Sequence, residues 1–188
     1  MPRKLWMKQW KELNNFYDFF IYFTHIFGWI LFTKFKNMKK DDKYFMDFAE
    51  KIANESDEPG THVGCVIVDK DQNIVSTGYN HYVADRNSKY MTDEKPMRYL
   101  LSVHAEMNAL INAKQPLTDC IVYTTHASCD NCLKHLISAG VKEIIYKHPS
   151  TNSKFIDTEK KEAIIRMMKA SGIIHRNING TSFENDNI

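Results

Sequence analysis

The sequence predicts an α/β protein built as a three-layer α/β/α sandwich around a mixed five-stranded sheet. Segments with helical periodicity alternate with short apolar runs, and in chain order they read αββαβαβα with a final β. Alternation of this kind places a sheet between layers of helices. The 188 residues contain no internal repeat, and they suffice for one domain of about 150 residues with an appendage.

The first half of this pattern is one helix followed by two strands. Residues 42–55 are amphipathic, so they are predicted to form a helix, and Pro59-Gly60 breaks it. The runs VGCVIVD (63–69) and IVSTGY (74–79) are typical of strands. Only residues 70–73 separate them, which indicates a tight turn.

The second half alternates helices and strands. Residues 104–114 are predicted to be a helix, residues 120–125 a buried strand, and residues 130–139 a helix that ends at Gly140. Residues 143–147 then form a strand, and residues 158–171 a helix that stops at Gly172. Residues 173–178 supply the last strand.

The N-terminal segment, residues 1–40, differs from the rest and is predicted to be an extension of the domain at residues 41–180. It contains all three tryptophans and carries a net charge of +6, whereas the whole chain is +2, which leaves −4 for residues 41–188. Residues 16–35 are apolar but include Asp18 and Lys34. Three interpretations stay open: a membrane-associated anchor, a helix packed on the domain or on another subunit, and a non-native extension.

Two further features concern the C-terminal end of the chain and the cellular location of the protein. Residues 181–188 are polar and are predicted to be a disordered tail. Cys65 and Cys120 lie in apolar runs typical of buried strands, so we expect both to be small core residues in a reducing compartment. We therefore predict a cytoplasmic location, with membrane association through residues 16–35 as the alternative.

One histidine and two cysteines form a candidate metal site. His104-Ala105-Glu106 begins one predicted helix, and Cys129-Asp130-Asn131-Cys132 begins another. One imidazole and two thiolates are three good Zn²⁺ ligands, and three protein ligands leave a fourth position open for water. The helix N-termini favour thiolate, and Glu106 is close enough to exchange protons with that water. We therefore predict Zn²⁺ bound by His104, Cys129 and Cys132, with Glu106 as the catalytic acid and base.

These motifs, together with residues 63–68 and Gly78-Tyr79-Asn80, make residues 41–178 resemble the zinc-dependent cytidine and deoxycytidylate (dCMP) deaminases. The resemblance implies the cytidine deaminase-like fold and hydrolytic conversion of dCMP to dUMP and ammonia. It also implies that Asn80 contacts the sugar and that the Ala105 N–H contacts the pyrimidine carbonyl. The chain departs from the pattern at Ser128, where the family has proline before its first cysteine.

Spacing points to the dCMP deaminases within this family. Twenty-three residues lie between Asn80 and His104, and the resemblance is to the members that carry a long insert. The insert provides basic candidates for the 5′-phosphate, namely Arg86, Lys89, Lys95 and Arg98. The loop after Asn80 lacks the glycine of the regulated members, which weighs against nucleotide allostery.

The expected partners are a small cytosine nucleotide and, from the resemblance, further copies of the chain. The acidic charge of residues 41–188 disfavours nucleic acid as a substrate, because phosphate backbones attract basic surfaces. Two alternatives stay open at this point. One is deamination of nucleic acid or of another base or nucleoside, and the other is a non-catalytic zinc-binding interaction module.

Overall fold

The structure is a computed structural model that describes residues 40–149 and 158–186. The helices are α1 (Asp42–Ala53), α2 (Met97–Leu101), α3 (Ala105–Asn112), α4 (Asp130–Ser138) and α5 (Thr158–Ser171). The strands are β1 (Gly64–Val68), β2 (Ile74–Tyr79), β3 (His81–Tyr82), β4 (Ser102–Val103), β5 (Ile121–His126), β6 (Glu143–His148) and β7 (Ile174–Asn177), and a 3₁₀ turn covers Phe183–Asn185.

Five strands form one mixed sheet in the order β2-β1-β5-β6-β7. Strand β1 runs antiparallel to both β2 and β5, whereas β5, β6 and β7 are parallel. The crossovers between the parallel strands are helices α4 and α5, as parallel pairing requires. The predicted mixed five-stranded sheet is therefore confirmed.

Helices cover both faces of the sheet because β1, one of its interior strands, is apolar on both sides. Cys65 and Ile67 of β1 face a core shared with α3, α4 and α5, whereas Val66 and Val68 face a core shared with α1. Successive residues of a strand point to opposite faces, so a fully buried strand must be covered twice. The arrangement confirms the three-layer α/β/α sandwich, with one helix on one face and three on the other.

The insert between Asn80 and His104 has structure that the sequence did not predict. Strands β3 and β4 pair as a separate two-stranded sheet, with His81 opposite Val103 and Tyr82 opposite Ser102. Helix α2 lies between these strands in the chain. The strands were missed because two residues are too few for a periodic pattern. Their pairing brings the two ends of the insert together, and β4 ends directly before His104.

The predicted disordered tail is wrong for residues 181–186. Phe183 is fully buried and its ring stacks on His175, with the ring centroids 4.7 Å apart. The backbone N–H of Asn177 also donates to the carbonyl of Thr181 at 2.7 Å. A polar segment with a single aromatic side chain gives no periodic signal, so its packing cannot be predicted from the sequence. Residues 187–188 lie outside the described residues.

The predicted extension, residues 1–40, lies outside the described residues apart from Lys40, so the domain boundary and the role of this segment stay predictions. Among the residues that the structure does describe, no helix is both long and apolar enough to cross a membrane. Residues 16–35 are not among them. Cys65 and Cys120 are both buried and unpaired, as predicted.

Candidate zinc-dependent active site

The three predicted metal ligands come together at the starts of two neighbouring helices. His104 has extended backbone (φ −70°, ψ 152°) immediately before α3, and Cys129 has the same conformation (φ −72°, ψ 168°) immediately before α4. Cys129 caps its helix, since its Sγ accepts from the backbone N–H of Cys132 at 3.4 Å. The N-cap of α4 is therefore Cys129 and not the preceding Ser128. Both cysteines project from the first turn of α4 towards His104.

The distances among these side chains fit a single Zn²⁺ ion. The Nδ1 atom of His104 lies 3.6 Å from Cys129 Sγ and 3.4 Å from Cys132 Sγ, and all three ligand atoms lie within 4.8 Å of one another. Two corners of a tetrahedron with bonds of about 2.1 Å to nitrogen and 2.3 Å to sulfur are about 3.6 Å apart. The donor set and its spacing therefore match a zinc site with three protein ligands.

The three candidate ligands differ in protonation, and only Cys129 is already in the form that binds a cation. Hydrogen bonding from Cys132 lowers the pKa of the Cys129 thiol to about 4, so Cys129 is a thiolate at neutral pH. Hydrogen bonding to Cys129 raises the pKa of His104 to about 9. Hydrogen bonding between Cys132 and Cys129, together with burial, raises the pKa of Cys132. His104 and Cys132 would have to release their protons to hold a divalent cation, because ligands bind metal in their deprotonated forms.

Glu106 lies in the first turn of α3, two residues after the histidine ligand. Its side chain lines a cavity although the residue is only 4% exposed. Burial raises its pKa, while the nearby His104 acts in the opposite direction. The buried hydroxyl of Ser128 also lowers this pKa, although its geometry falls short of a regular hydrogen bond. A carboxyl group with a raised pKa can both accept and release a proton near neutral pH.

The cavity beside the metal ligands has a volume of about 380 Å³, which is within the usual range for small-molecule sites. His104, Cys129 and Glu106 line it, whereas the third candidate ligand, Cys132, does not. Its walls come from the segment before β1, the insert, the end of β5 and the start of α5. Among the other residues that line it are Glu58, Asn80, Lys95, Arg98, Ala105, His126 and Lys160.

Asn80 lines this cavity at the end of β2, but most of its side chain is already engaged. Its Oδ1 accepts from the backbone N–H of Val63 at 2.7 Å, and its Nδ2 donates to the carbonyl of Thr61 at 2.9 Å. One N–H of the amide and one lone pair of its oxygen are left over. Asn80 thus shapes the cavity wall, and its contact with a sugar stays a prediction.

Ala105 is the first residue of α3, and its side chain is fully buried. The first four N–H groups of a helix have no partner within the helix. The Ala105 N–H is one of these four, next to both His104 and Glu106. The predicted contact with a pyrimidine carbonyl stays a prediction, and the position is compatible with it.

The four basic candidates of the insert divide into two pairs. Arg86 binds the Asp93 carboxylate at 2.6 Å and the ammonium of Lys89 lies over the Tyr90 ring, and neither residue lines the cavity. Lys95 and Arg98 do line it. The third cationic residue of the cavity is Lys160, which was not among the basic candidates from the sequence. It lies in a run of mixed charges on α5 that is typical of an exposed helix face.

Glu58 is a second residue that the sequence did not reveal. It is 6% exposed, accepts a hydrogen bond from Ser102 and lies 3.8 Å from Nε of Arg98. Ser102 stands two residues before His104 in the chain, so Glu58 fixes both the insert and the strand that leads to the metal site. No sequence signal marks this role, because the partners are about forty residues apart.

A sandwich of this kind with a three-ligand zinc site and a buried acid beside it defines a class, the zinc-dependent hydrolytic deaminases. The protein is a hydrolase of that class, with Zn²⁺ as its cofactor. Residues 39–148 match the family described as the cytidine and deoxycytidylate deaminase zinc-binding region. The chain belongs to this family.

Several proteins that are similar to this chain are named deoxycytidylate deaminases. A probable deoxycytidylate deaminase of Caenorhabditis elegans is 41% identical over 115 residues, which are 58% of each chain. The deoxycytidylate deaminase of Mus musculus is 31% identical over 150 residues, covering 73% of this chain and 82% of the mouse protein. The fold is shared with a dCMP deaminase from the cyanophage S-TIM5, solved in complex with dCMP and dUMP (TM-score 0.56, 20% identity, covering 72% of this chain and 95% of the phage protein).

Proposed function

We propose that the protein hydrolyses dCMP to dUMP and ammonia. The observation that carries the proposal is the position of Glu106, a buried carboxyl group that lines the cavity beside the three zinc ligands. The relatives named deoxycytidylate deaminases support the choice of substrate. The cavity also has Lys95, Arg98 and Lys160 in its walls, which suits a phosphorylated nucleotide better than a neutral nucleoside.

The residues of the chain perform the proton transfers of this reaction. Zn²⁺, when bound by His104, Cys129 and Cys132, supplies activation of a water molecule as the nucleophile. Glu106 accepts a proton from the attacking water and passes it to N3 of the cytosine ring, which makes C4 more electrophilic. Glu106 then delivers the second proton of the water to the amino group, which leaves as ammonia. A positioned carboxyl group in this role contributes about 100- to 10,000-fold to the rate.

The substrate contacts are part of the same proposal. We assign the Ala105 N–H to the pyrimidine carbonyl, and the remaining hydrogen-bonding capacity of Asn80 to the sugar. In both cases the group lines the cavity beside Glu106. Association of several copies and a cytoplasmic location are also proposed, the second because the four described cysteines are unpaired.

A substrate panel tests this function. The full chain, loaded with zinc, is incubated with dCMP, dCTP, deoxycytidine, cytosine, guanine and a transfer-RNA anticodon stem, and ammonia release is measured. We expect the highest kcat/KM with dCMP. For a Glu106→Gln variant we expect a kcat that is lower by about 100- to 10,000-fold or more. Turnover of another member of the panel with none of dCMP would contradict the proposed substrate and leave the deaminase class intact.

A further inference from the structure

The candidate ligand His104 stands at a junction between two elements of the fold. Strand β4 ends at Val103 and helix α3 begins at Ala105, so His104 is the single residue between them. Glu106 follows within the first turn of α3. A change in the angle between β4 and α3 would therefore move the imidazole ligand relative to the acid.

His81 of β3 is joined to the first of these elements by strand pairing. In the two-stranded sheet it lies opposite Val103, the residue directly before His104. The backbone N–H of Val83 donates to the carbonyl of Leu101 at 2.9 Å, which extends the ladder by one more bond. The backbone of His81 therefore holds the strand that leads to the ligand.

The side chain of His81 reaches the second element. Its Nε2 lies 3.1 Å from Nδ2 of Asn108 in α3. The backbone N–H of Asn108 donates to the carbonyl of His104 at 2.9 Å, so Asn108 closes the first turn of the helix. Its Oδ1 accepts from the backbone N–H of Tyr79 at 3.2 Å. Asn108 thereby joins the start of α3 to the end of β2 and to β3.

The backbone groups at the two ends of this chain determine the direction of each hydrogen bond. The Tyr79 N–H can only donate, which places Oδ1 of Asn108 towards it and Nδ2 towards His81. At the other end, Nδ1 of His81 lies 2.6 Å from the carbonyl oxygen of Tyr82, which can only accept. The ring proton is therefore on Nδ1, and Nε2 accepts from Asn108. A reversed amide would place two donors against each other.

His81 and Asn108 lie outside the wall of the catalytic cavity. Asn80, the residue before His81, lines the cavity, whereas neither His81 nor Asn108 is among the described residues that line it. Both are partly buried, and the His81 ring packs edge-on against Tyr79 with the ring centroids 5.8 Å apart. An effect of these two side chains on the reaction must therefore pass through residues that they hold.

We propose that His81, acting through Asn108, is a positioning residue for the ligand His104 and the acid Glu106. Its backbone holds the strand before the ligand and its imidazole holds the helix after it, so one residue fixes the junction from both sides. A shift of about 1 Å in a reacting group can cost about 100-fold in rate, so a loosened junction would slow catalysis. The part of the inference that concerns turnover rests on the proposed function.

Substitutions at both ends of the hydrogen bond test this role in the zinc-loaded full chain. His81→Phe keeps a ring against Tyr79 but offers no acceptor to Asn108, and it should lower kcat for dCMP about 10- to 100-fold. KM should change less than about threefold, because His81 does not line the cavity. His81→Gln restores an acceptor and should recover most of kcat. Asn108→Leu combined with His81→Phe should have the kcat of Asn108→Leu alone, since both changes remove the same bond.

The metal site gives a second readout that does not involve turnover. With Co²⁺ in place of zinc, the visible absorption of the site reports the geometry of its ligands. His81→Phe and Asn108→Leu should change this spectrum and weaken zinc affinity about 10-fold, the lower end of what loss of an outer contact of a metal ligand costs.

Asn112→Leu is the matched control. Asn112 ends the same helix and donates to the carbonyl of Thr77 in β2 at 3.4 Å, and among the described residues it has no hydrogen bond to β3. This variant should keep the wild-type kcat, zinc affinity and cobalt spectrum.

Wild-type values of all three quantities in His81→Phe would overturn the inference. So would equal losses in Asn112→Leu, or losses that multiply in the double variant, because the bond between His81 and Asn108 would then have no specific effect. A wild type that releases no ammonia from dCMP would reject the proposed reaction alone. The zinc affinities and cobalt spectra would in that case still decide the role of His81.

Discussion

Gly78 of β2 lies against the backbone of α3 so closely that a Cβ at this position would be 2.2 Å from the backbone nitrogen of Ala109. The same Cβ would be 2.4 Å from the carbonyl oxygen of Ala105. Helix α3 carries Glu106 and begins directly after His104. Because Gly78 has no Cβ, helix α3 can approach the sheet this closely.

The first prediction concerns this contact. Gly78→Ala should move α3 away from β2, lower the free energy of unfolding by at least about 1–3 kcal/mol, and weaken zinc binding, because His104 moves with its helix. Thermal unfolding and competition with a chromophoric chelator measure the two effects.

Gly64→Ala is the matched control, since a Cβ there would lie 1.9 Å from the carbonyl oxygen of Ala49 on α1, which carries no ligand. It should destabilise the fold with less effect on zinc affinity in the folded protein. Equal losses of zinc affinity in the two variants would contradict a specific role of Gly78 in positioning the site.

The second prediction concerns the metal. The zinc-loaded wild type should hold zinc through His104, Cys129 and Cys132, and Cys132→Ala should weaken its affinity by more than about 100-fold. Loss of an outer partner of a ligand already costs about 10- to 100-fold. Cys120→Ala removes an equally buried thiol that is not part of the ligand group, so its zinc content should stay at the wild-type level. Atomic absorption after dialysis separates the two results, and zinc retained by Cys132→Ala would exclude Cys132 as a ligand.

The third prediction isolates the proton transfer. Glu106→Gln should keep the zinc content and the fold and reduce kcat by about 100- to 10,000-fold or more, because an amide cannot exchange protons with water and substrate in turn. Glu162→Gln is the comparison, since this exposed carboxylate of α5 pairs only with the neighbouring Arg166 among the described residues. Its kcat should match the wild type. Substantial activity in Glu106→Gln would assign the proton transfer to another group.

The fourth prediction concerns the C-terminal segment. Phe183→Ala should lower the free energy of unfolding by about 3–5 kcal/mol, because the ring is fully buried against His175 and Tyr146. Leu100→Ala removes a large side chain that is 77% exposed and should change stability by no more than about 0.5 kcal/mol. Denaturant unfolding measures both variants. A Phe183→Ala variant as stable as Leu100→Ala would mean that residues 181–186 do not contribute to the core.

Prediction from sequence succeeded where the signal is local. The predicted bounds of helix α5 agree with those of the structure, Thr158–Ser171, because the glycine that ends the helix follows it directly in the sequence. His104, Cys129 and Cys132 were predicted as one group because each stands at a recognisable helix start. The pairing of His81 and Tyr82 with Val103 and Ser102 was missed, since two-residue strands form only when distant segments meet.

The sequence by itself determined the order of the helices and strands of the five-stranded sandwich, and it grouped the candidate zinc ligands with the acid beside them, because caps, periodicity and short motifs are encoded by neighbouring residues. Only the tertiary structure decided which other residues lie around the candidate metal site. Glu58, His126 and Lys160 come from three separate segments and line one cavity. Phe183 is buried in a core whose other residues are distant from it in the sequence. Such contacts depend on how the sheet and helices pack, and packing leaves no pattern in any single stretch of the chain.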